Sequence, residues 1–298
     1  MKVLLTGAAG QLGQSLLAAC PAGIEVIATS RAELDLSNPQ ACSAAVQLHR
    51  PDWLLNAGAY TAVDQAEKQP QLAMAVNAAA PRAFAEALQA TGGRLLQLST
   101  DFVFNGQQGR PYAIDQPRQP LGVYGASKAA GEEAVEEIFA GSGRASILRT
   151  SWVIGPAGKN FALTMLRLHR DRDQLAVVAD QVGCPTSTLT LAGACWRLIE
   201  KGSAESAAVL PEVLHWSDAG AASWYDVAVA VGELGQELGL IKHPAEVKSI
   251  TTADYPTPAK RPSYSLLDCV ASRKLLELEG QHWRSALQDV LQQVAASV

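Results

Sequence analysis

Val3-Leu4-Leu5-Thr6-Gly7-Ala8-Ala9-Gly10-Gln11-Leu12-Gly13 decides the fold. Three apolar residues and a β-branched one predict a buried strand, the glycines spaced three and three predict a tight turn, and the run from Gln11 to Cys20 predicts a helix. Glycine belongs in such a turn because a side chain would hold the backbone away from a pyrophosphate, whose charge the first helical amides then meet. The bland alternative is a tight turn with no ligand. The strand-turn-helix setting favours a bound dinucleotide, with Gly7, Gly10, Gln11, Leu12 and Gly13 as cofactor-binding candidates.

Working outward, short apolar runs at Glu25 to Thr29, Trp53 to Asn56, Arg94 to Ser99 and Ser146 to Thr150 alternate with helical stretches at Pro39 to Arg50, Gln71 to Ala90 and Ser127 to Phe139. This is the pattern of an α/β protein with a Rossmann-type doubly wound parallel sheet. Residues 1–150 are read as an NAD(P)-binding Rossmann domain. After Gly155 the texture changes, with Pro156, Pro185, Pro211, Pro244, Pro256, Pro258 and Pro262 punctuating shorter elements. Residues 151–298 are therefore read as mainly a smaller C-terminal α/β substrate-binding domain, discontinuous, with a segment near 212–232 returning to the Rossmann domain. In that segment Leu214-His215-Trp216 reads as a strand of the main sheet. Ser223 with Asp226, just before Val227 to Val231, reads as a capping box.

The 298 residues are 48% apolar and 18% charged, with a net charge of −5, which rules out disorder and small disulfide scaffolds. Mild acidity without a block of Lys or Arg argues against nucleic acid as a partner. The five cysteines (Cys20, Cys42, Cys184, Cys195, Cys269) never approach a C-x-x-C spacing, and the five histidines never approach H-x-x-x-H, so no metal site is expected. No stretch nears eighteen apolar residues, and the first apolar run breaks too early for a signal peptide. A cytoplasmic protein with no membrane contact is the expectation.

The second strand ends Ala28-Thr29-Ser30-Arg31, where a dinucleotide site reading NAD would carry a carboxylate for the ribose 2′-hydroxyl. A guanidinium with two hydroxyls suits a 2′-phosphate, so NADPH is favoured and NADH is the second choice. Asp35 and Leu36 are placed against the adenine, and Ala57, Ala59 and Tyr60 end another strand with the small residues that a surface under the cofactor requires. Tyr124 and Lys128 in Tyr-Gly-Ala-Ser-Lys stack on one helix face about 6 Å apart. The ammonium is expected to lower the phenol's pKa and make it a proton donor or acceptor near neutral pH. A chance Tyr-x-x-x-Lys arises in roughly one such chain in five, so the pair gains weight from its position after Ser99-Thr100-Asp101. There Thr100 is expected to hydrogen-bond the oxygen that Tyr124 protonates, which makes Thr100, Tyr124 and Lys128 the catalytic candidates.

These residues resemble the extended short-chain dehydrogenase/reductase pattern, and longer strings are similar to the dTDP-4-dehydrorhamnose reductase family. The strings are TGAAGQLG (6–13), NAGAYTAVDQAE (56–67), STDFVFNG (99–106), YGASK (124–128), RTSWVIG (149–155), DQVGCPT (180–186), SWYDVA (223–228) and YPTPAKRPSYSLLD (255–268). They run in family order over nearly the whole chain. The resemblance implies NAD(P)H-dependent reduction of the 4-keto group of dTDP-4-dehydro-L-rhamnose to dTDP-L-rhamnose, a step of polysaccharide precursor supply. It implies that Thr100, Trp152, Gln181, Thr186 and Arg261 line the nucleotide-sugar side, with Arg261 suited to a diphosphate. Some members carry a Glu two residues after the third glycine, used with magnesium at a dimer contact. Here Ser15 stands there, so Mg2+ and that homodimer mode are left open. A nucleotide-sugar epimerase, with the same three residues but a re-oxidised cofactor, and a non-catalytic NADP-binding regulatory subunit are the alternatives.

Overall fold

The structure is a computed structural model that describes residues 1–203 and 210–297. Its first half runs β1 (Lys2–Thr6), α1 (Gln11–Ala18), β2 (Glu25–Thr29), α2 (Pro39–His49), β3 (Trp53–Asn56), α3 (Val63–Ala66), α4 (Pro70–Met74), α5 (Ala80–Thr91), β4 (Arg94–Thr100), α6 (Val123–Phe139) and β5 (Ala145–Thr150). Then follow β6 (Val153–Ile154), α7 (Phe161–Asp171), β7 (Gln174–Val178), β8 (Val182–Gly183), β9 (Thr186–Ser187), α8 (Thr188–Ser203), β10 (Val213–His215), β11 (Ala222–Ser223), α9 (Trp224–Glu237), β12 (Glu246–Ile250), α10 (Val270–Leu276) and α11 (Trp283–Ala296).

Six strands form the main sheet in the order β10-β5-β4-β3-β1-β2, every neighbouring pair parallel. Alternate residues of each strand feed opposite cores, as a sheet covered on both faces requires. Leu5, Leu55, Leu96, Leu98 and Leu148 pack with α1 and α8, while Leu4, Leu54, Leu95 and Ile147 pack with α2, α5 and α6. The order reverses at β1, between β2 on one side and β3 on the other, so a crevice opens there at the carboxyl ends of the strands.

Local chemistry explains the element ends. Asn38 caps α2 by accepting from the Ala41 amide, with Pro39 at the first helical position. The capping box of Ser223 and Asp226 starts α9. The helix expected over Gln71 to Ala90 is broken instead by a π-helical turn, Ala75–Ala79, between α4 and α5. Nothing in the Ala-rich composition marks that turn. It is held by Asn77, whose amide group accepts from the Tyr60 amide (2.8 Å) and donates to the Tyr60 carbonyl (3.1 Å) and to Ser127 Oγ (3.0 Å). The helix expected from Ser127 begins four residues earlier, at Val123, because Glu67 Oε1 accepts the Val123 amide at 2.8 Å and caps it from a distance.

The chain after β5 divides differently from the expected segment near 212–232. The strand does return to the sheet, as β10 beside β5, but α9 packs in a second core with α7, α11 and the β7/β12 pair. The helix that covers the sheet is α8, tied to α1 by Trp196 Nε1 donating to the Leu16 carbonyl and by Ser15 Oγ donating to Thr188 Oγ1 (2.7 Å). Among the described residues no helix is long and apolar enough to cross a membrane. Leu55 lies fully buried at the centre of the sheet, so Leu55→Ala should cost about 2–5 kcal/mol in urea unfolding. A loss below about 1 kcal/mol would mean that the sheet's core collapses around the gap.

Candidate active site

A cleft of ≈ 660 Å³ opens along the carboxyl ends of the strands, between the sheet and the second region. Gly7, Gly10, Gln11, Leu12 and Gly13 form one end of it. Gly7 has φ +68°, and a Cβ there would fall 2.7 Å from the Gly58 backbone, so only glycine lets the turn lie against the end of β3. Gly10 caps α1 without a side-chain acceptor, which leaves the first-turn amides of α1 facing the cleft for an anion. This arrangement fits a dinucleotide pyrophosphate. The Gln11 side chain also joins the turn to the second region, donating to the Lys159 carbonyl and accepting from Asn160 Nδ2.

Arg31, Asp35 and Leu36 line the same end, and Ala57, Ala59 and Tyr60 the floor. Arg31 is exposed and makes no ion pair among the described residues; the neighbouring Glu33 instead accepts the Ser30 amide at 2.7 Å. The guanidinium therefore fits a 2′-phosphate. Asp35 Oδ1 accepts the Ser37 amide, and this bond, with the Ser37 side chain and the Arg31 charge, holds the carboxyl below its ordinary range.

At the middle of the cleft the end of β4 meets α6 and brings Thr100, Tyr124 and Lys128 together. A Cβ on Gly125 would collide with the Phe102 carbonyl, so glycine there lets the first turn of α6 settle on the strand end. The Phe102 ring meets Tyr124 edge-on at 5.4 Å. Thr100 Oγ1 donates to Asp101 Oδ1 (3.0 Å) and accepts the Phe102 amide (3.2 Å). Lys128 Nζ donates to the Leu98 carbonyl at 2.6 Å.

The electrostatics correct one expectation. Lys128 does not lower the Tyr124 pKa here, because its ammonium is directed at the Leu98 carbonyl and burial dominates the phenol. Desolvation pushes Tyr124 up to about 12, a hydrogen bond with Thr100 opposes the rise, and the Asp101 charge adds to it. Desolvation brings Lys128 down to about 8, against the attraction of Glu132. Asp101, which the sequence reading did not single out, is a buried cleft carboxyl raised to about 6 by desolvation, with Oδ2 unpartnered. Its signal was a carboxylate at the end of a buried apolar strand. Asn77 was missed too, since its bonding depends on the π-helical turn.

The second region supplies Trp152 and Arg261 to the cleft. Trp152 adopts φ +47° and stacks face to face on Trp224 at 3.6 Å and 5°, so one face of its indole is already covered. Arg261 Nη2 pairs with Asp64 Oδ2 at 2.9 Å, which ties the loop that carries it to α3. Gln181 and Thr186 do not reach the cleft. Gln181 is buried and donates to Thr252 Oγ1 (3.0 Å), and Thr186 is interior, paired with Val153 across β6 and β9. Ser15, buried against α8, serves packing. Among the described residues no group of three or more His, Cys, Asp or Glu could hold a metal ion, and all five cysteines are free thiols.

A parallel sheet with a glycine turn at its strand-order reversal, and a hydroxyl, a tyrosine and a lysine converging beside it, defines a Rossmann-fold protein of the short-chain dehydrogenase/reductase type. The family model described as RmlD substrate binding domain matches residues 1–296. A dTDP-4-dehydrorhamnose reductase of Streptomyces griseus is 44% identical over 95% of this chain and 91% of its own length. A dTDP-4-dehydrorhamnose reductase of Bacillus anthracis, solved in complex with NADP, superposes with TM-score 0.89 at 32% identity, covering 98% of this chain and 99% of its own. That of Clostridium acetobutylicum does so with TM-score 0.88 at 34% identity over 99% of both chains. This chain belongs to the dTDP-4-dehydrorhamnose reductase family.

The raised pKa of Asp101 has a consequence for stability. A carboxyl whose folded pKa (about 6) exceeds its ordinary value (3.8) contributes stability at low pH that is lost as pH rises through the folded value. Relative to the parent, Asp101→Asn should therefore gain melting temperature as pH rises from about 4 to 6. A difference that stays flat over that window would show Asp101 ionised throughout.

Proposed function

We propose that this chain is an NADPH-dependent oxidoreductase that reduces the 4-keto group of dTDP-4-dehydro-L-rhamnose to dTDP-L-rhamnose. The observation that carries the reading is the convergence of Thr100, Tyr124 and Lys128 in the same cleft as the glycine turn and Arg31. Relatives named for this reaction along nearly the full chain support the choice of substrate. When bound, NADPH supplies the hydride. The first turn of α1 would hold the pyrophosphate and Arg31 the 2′-phosphate, within residues 1–150. The second region closes the nucleotide-sugar side with Trp152 and Arg261. The work is that of a cytoplasmic enzyme on a small molecule.

Proton handling follows from the pKa directions. A phenol held near 12 keeps its proton at neutral pH, so Tyr124 Oη starts each cycle loaded and delivers that proton to the sugar oxygen as negative charge develops there. Thr100 Oγ1 directs its proton at Asp101 in this structure, and orienting a carbonyl requires it to rotate away from that carboxyl. Lys128, one helical turn beyond Tyr124, is placed where its ammonium would bond a nicotinamide ribose hydroxyl.

An assay that couples synthesis of the keto sugar to loss of reduced-nicotinamide absorbance tests the reading. Stoichiometric consumption of NADPH supports it, and conversion of sugar without net consumption identifies an epimerase. Tyr124→Phe keeps the ring and removes the proton, so kcat should fall by about two to four orders of magnitude while fold and NADPH affinity survive. Near-parental turnover would remove Tyr124 as donor. Arg31→Ala should narrow the preference for NADPH over NADH in calorimetric titrations. A charge-assisted contact is worth about 1.5–3 kcal/mol, reduced here by exposure to water and salt. Equal affinities in the parent would leave Arg31 outside the phosphate site.

A further inference from the structure

Helix α6 carries Tyr124, Lys128, Glu132 and Glu136 at four-residue spacing, and so along one face. The first two face the cleft; Glu132 is 1% exposed behind them. Its carboxylate accepts Arg149 Nε at 2.9 Å and Nη2 at 2.7 Å, and Arg118 Nε at 2.6 Å, while Arg118 pairs also with Glu136. Arg149 is 2% exposed on β5, opposite Ser99 in the register that sets Thr150 opposite Thr100. A carboxylate on the catalytic helix is thus gripped by a guanidinium one residue from the level of the catalytic hydroxyl.

Packing alone does not ask for this. A buried ion pair is commonly matched or bettered in stability by apolar side chains of similar volume, so charge here calls for another role. The charged and titratable groups around Lys128 identify one. From α6 come Tyr124 and Glu132; from the end of β4, Asp101 beyond Thr100; from β5, Arg149, already bonded to Glu132 and to the Ile114 carbonyl; from β10, His215, which lies 3.3 Å from Arg149 Nη1. His215 is held neutral at neutral pH by burial and by the adjacent guanidinium. Glu132 is the carboxylate one turn from Lys128 on the same helix face.

We propose that Glu132 is a positioning residue for the reduction, which fixes α6 against β5 through Arg149 and sets its carboxylate one helical turn behind Lys128. The inference rests on the catalytic reading of Lys128 given above. It separates Glu132 from a merely structural ion pair, because its effect is on the titration of another residue.

Two variants test it: Glu132→Gln, and Glu132→Gln combined with Arg149→Met, which removes the guanidinium that the first variant strands. The readouts are melting temperature, NADPH affinity against pH without sugar, and kcat/KM against pH with the keto sugar. The single variant should melt earlier and the double variant should recover. In the single variant the alkaline limb of NADPH affinity and of kcat/KM should move down by about one pH unit, as Lys128 loses its proton more easily. In the double variant, which also removes the Arg149 charge that opposes the ammonium, it should move down by less. Glu132→Asp, which keeps the charge, should hold the limb near the parental pH. A Glu132→Gln variant that is folded at the assay temperature and keeps a parental limb would overturn the proposal and leave Glu132 a fold element. A shifted NADPH limb in a chain whose parent does not reduce the keto sugar would overturn the substrate reading and retain the inference.

Discussion

All six strands of the main sheet run in one direction, and the placement of the site follows from that constraint. Parallel strands cannot be joined by hairpins, so each connection crosses a face of the sheet as a helix and every strand ends at the same edge. Reversal of strand order at β1 parts the crossovers and opens the crevice. The glycine turn after β1, the small residues after β3 and the hydroxyl at the end of β4 then share one edge without any contact having been built to bring them together.

Placement along that edge is coarse, and a few long-range bonds refine it. Helix α3 and its end act as a junction: Asp64 holds Arg261 from the second region, and Glu67 caps the start of α6 at Val123. Asn77 joins the Tyr60 backbone to Ser127 on α6. These bonds decide where Tyr124 and Lys128 stand relative to Thr100. They also explain the π-helical turn at Ala75–Ala79, since the extra residue re-aims Asn77 between a loop and a helix.

Burial then sets the chemistry of the centre. The same desolvation raises the Tyr124 phenol and the Asp101 carboxyl and lowers the Lys128 ammonium, so all three tend toward their neutral forms. Charge in this part of the molecule has to be held in place by partners, and the Arg149–Glu132–Arg118 cluster behind the cleft does so.

Much of this was legible in the chain. Strands at Glu25 to Thr29 and Trp53 to Asn56 were read to the residue, because each leaves a short apolar run bounded by turn residues. The glycine turn and the Tyr124–Lys128 pair were read from spacing within one element, Arg31 and Thr100 from their places at strand ends, and the structure brings all of them to the cleft. Family resemblance alone had placed Gln181 and Thr186 at the sugar side, and the fold turns both inward. Spacing along a helix or a strand is local and fixed by 3.6- and 2-residue repeats, so the sequence by itself determined which residues share a face. The partners of Lys128, the ionisation of Tyr124, the covered face of Trp152 and the burial of Asp101 were decided only by the tertiary structure, because desolvation and hydrogen-bond direction depend on atoms that the chain brings together from distant positions.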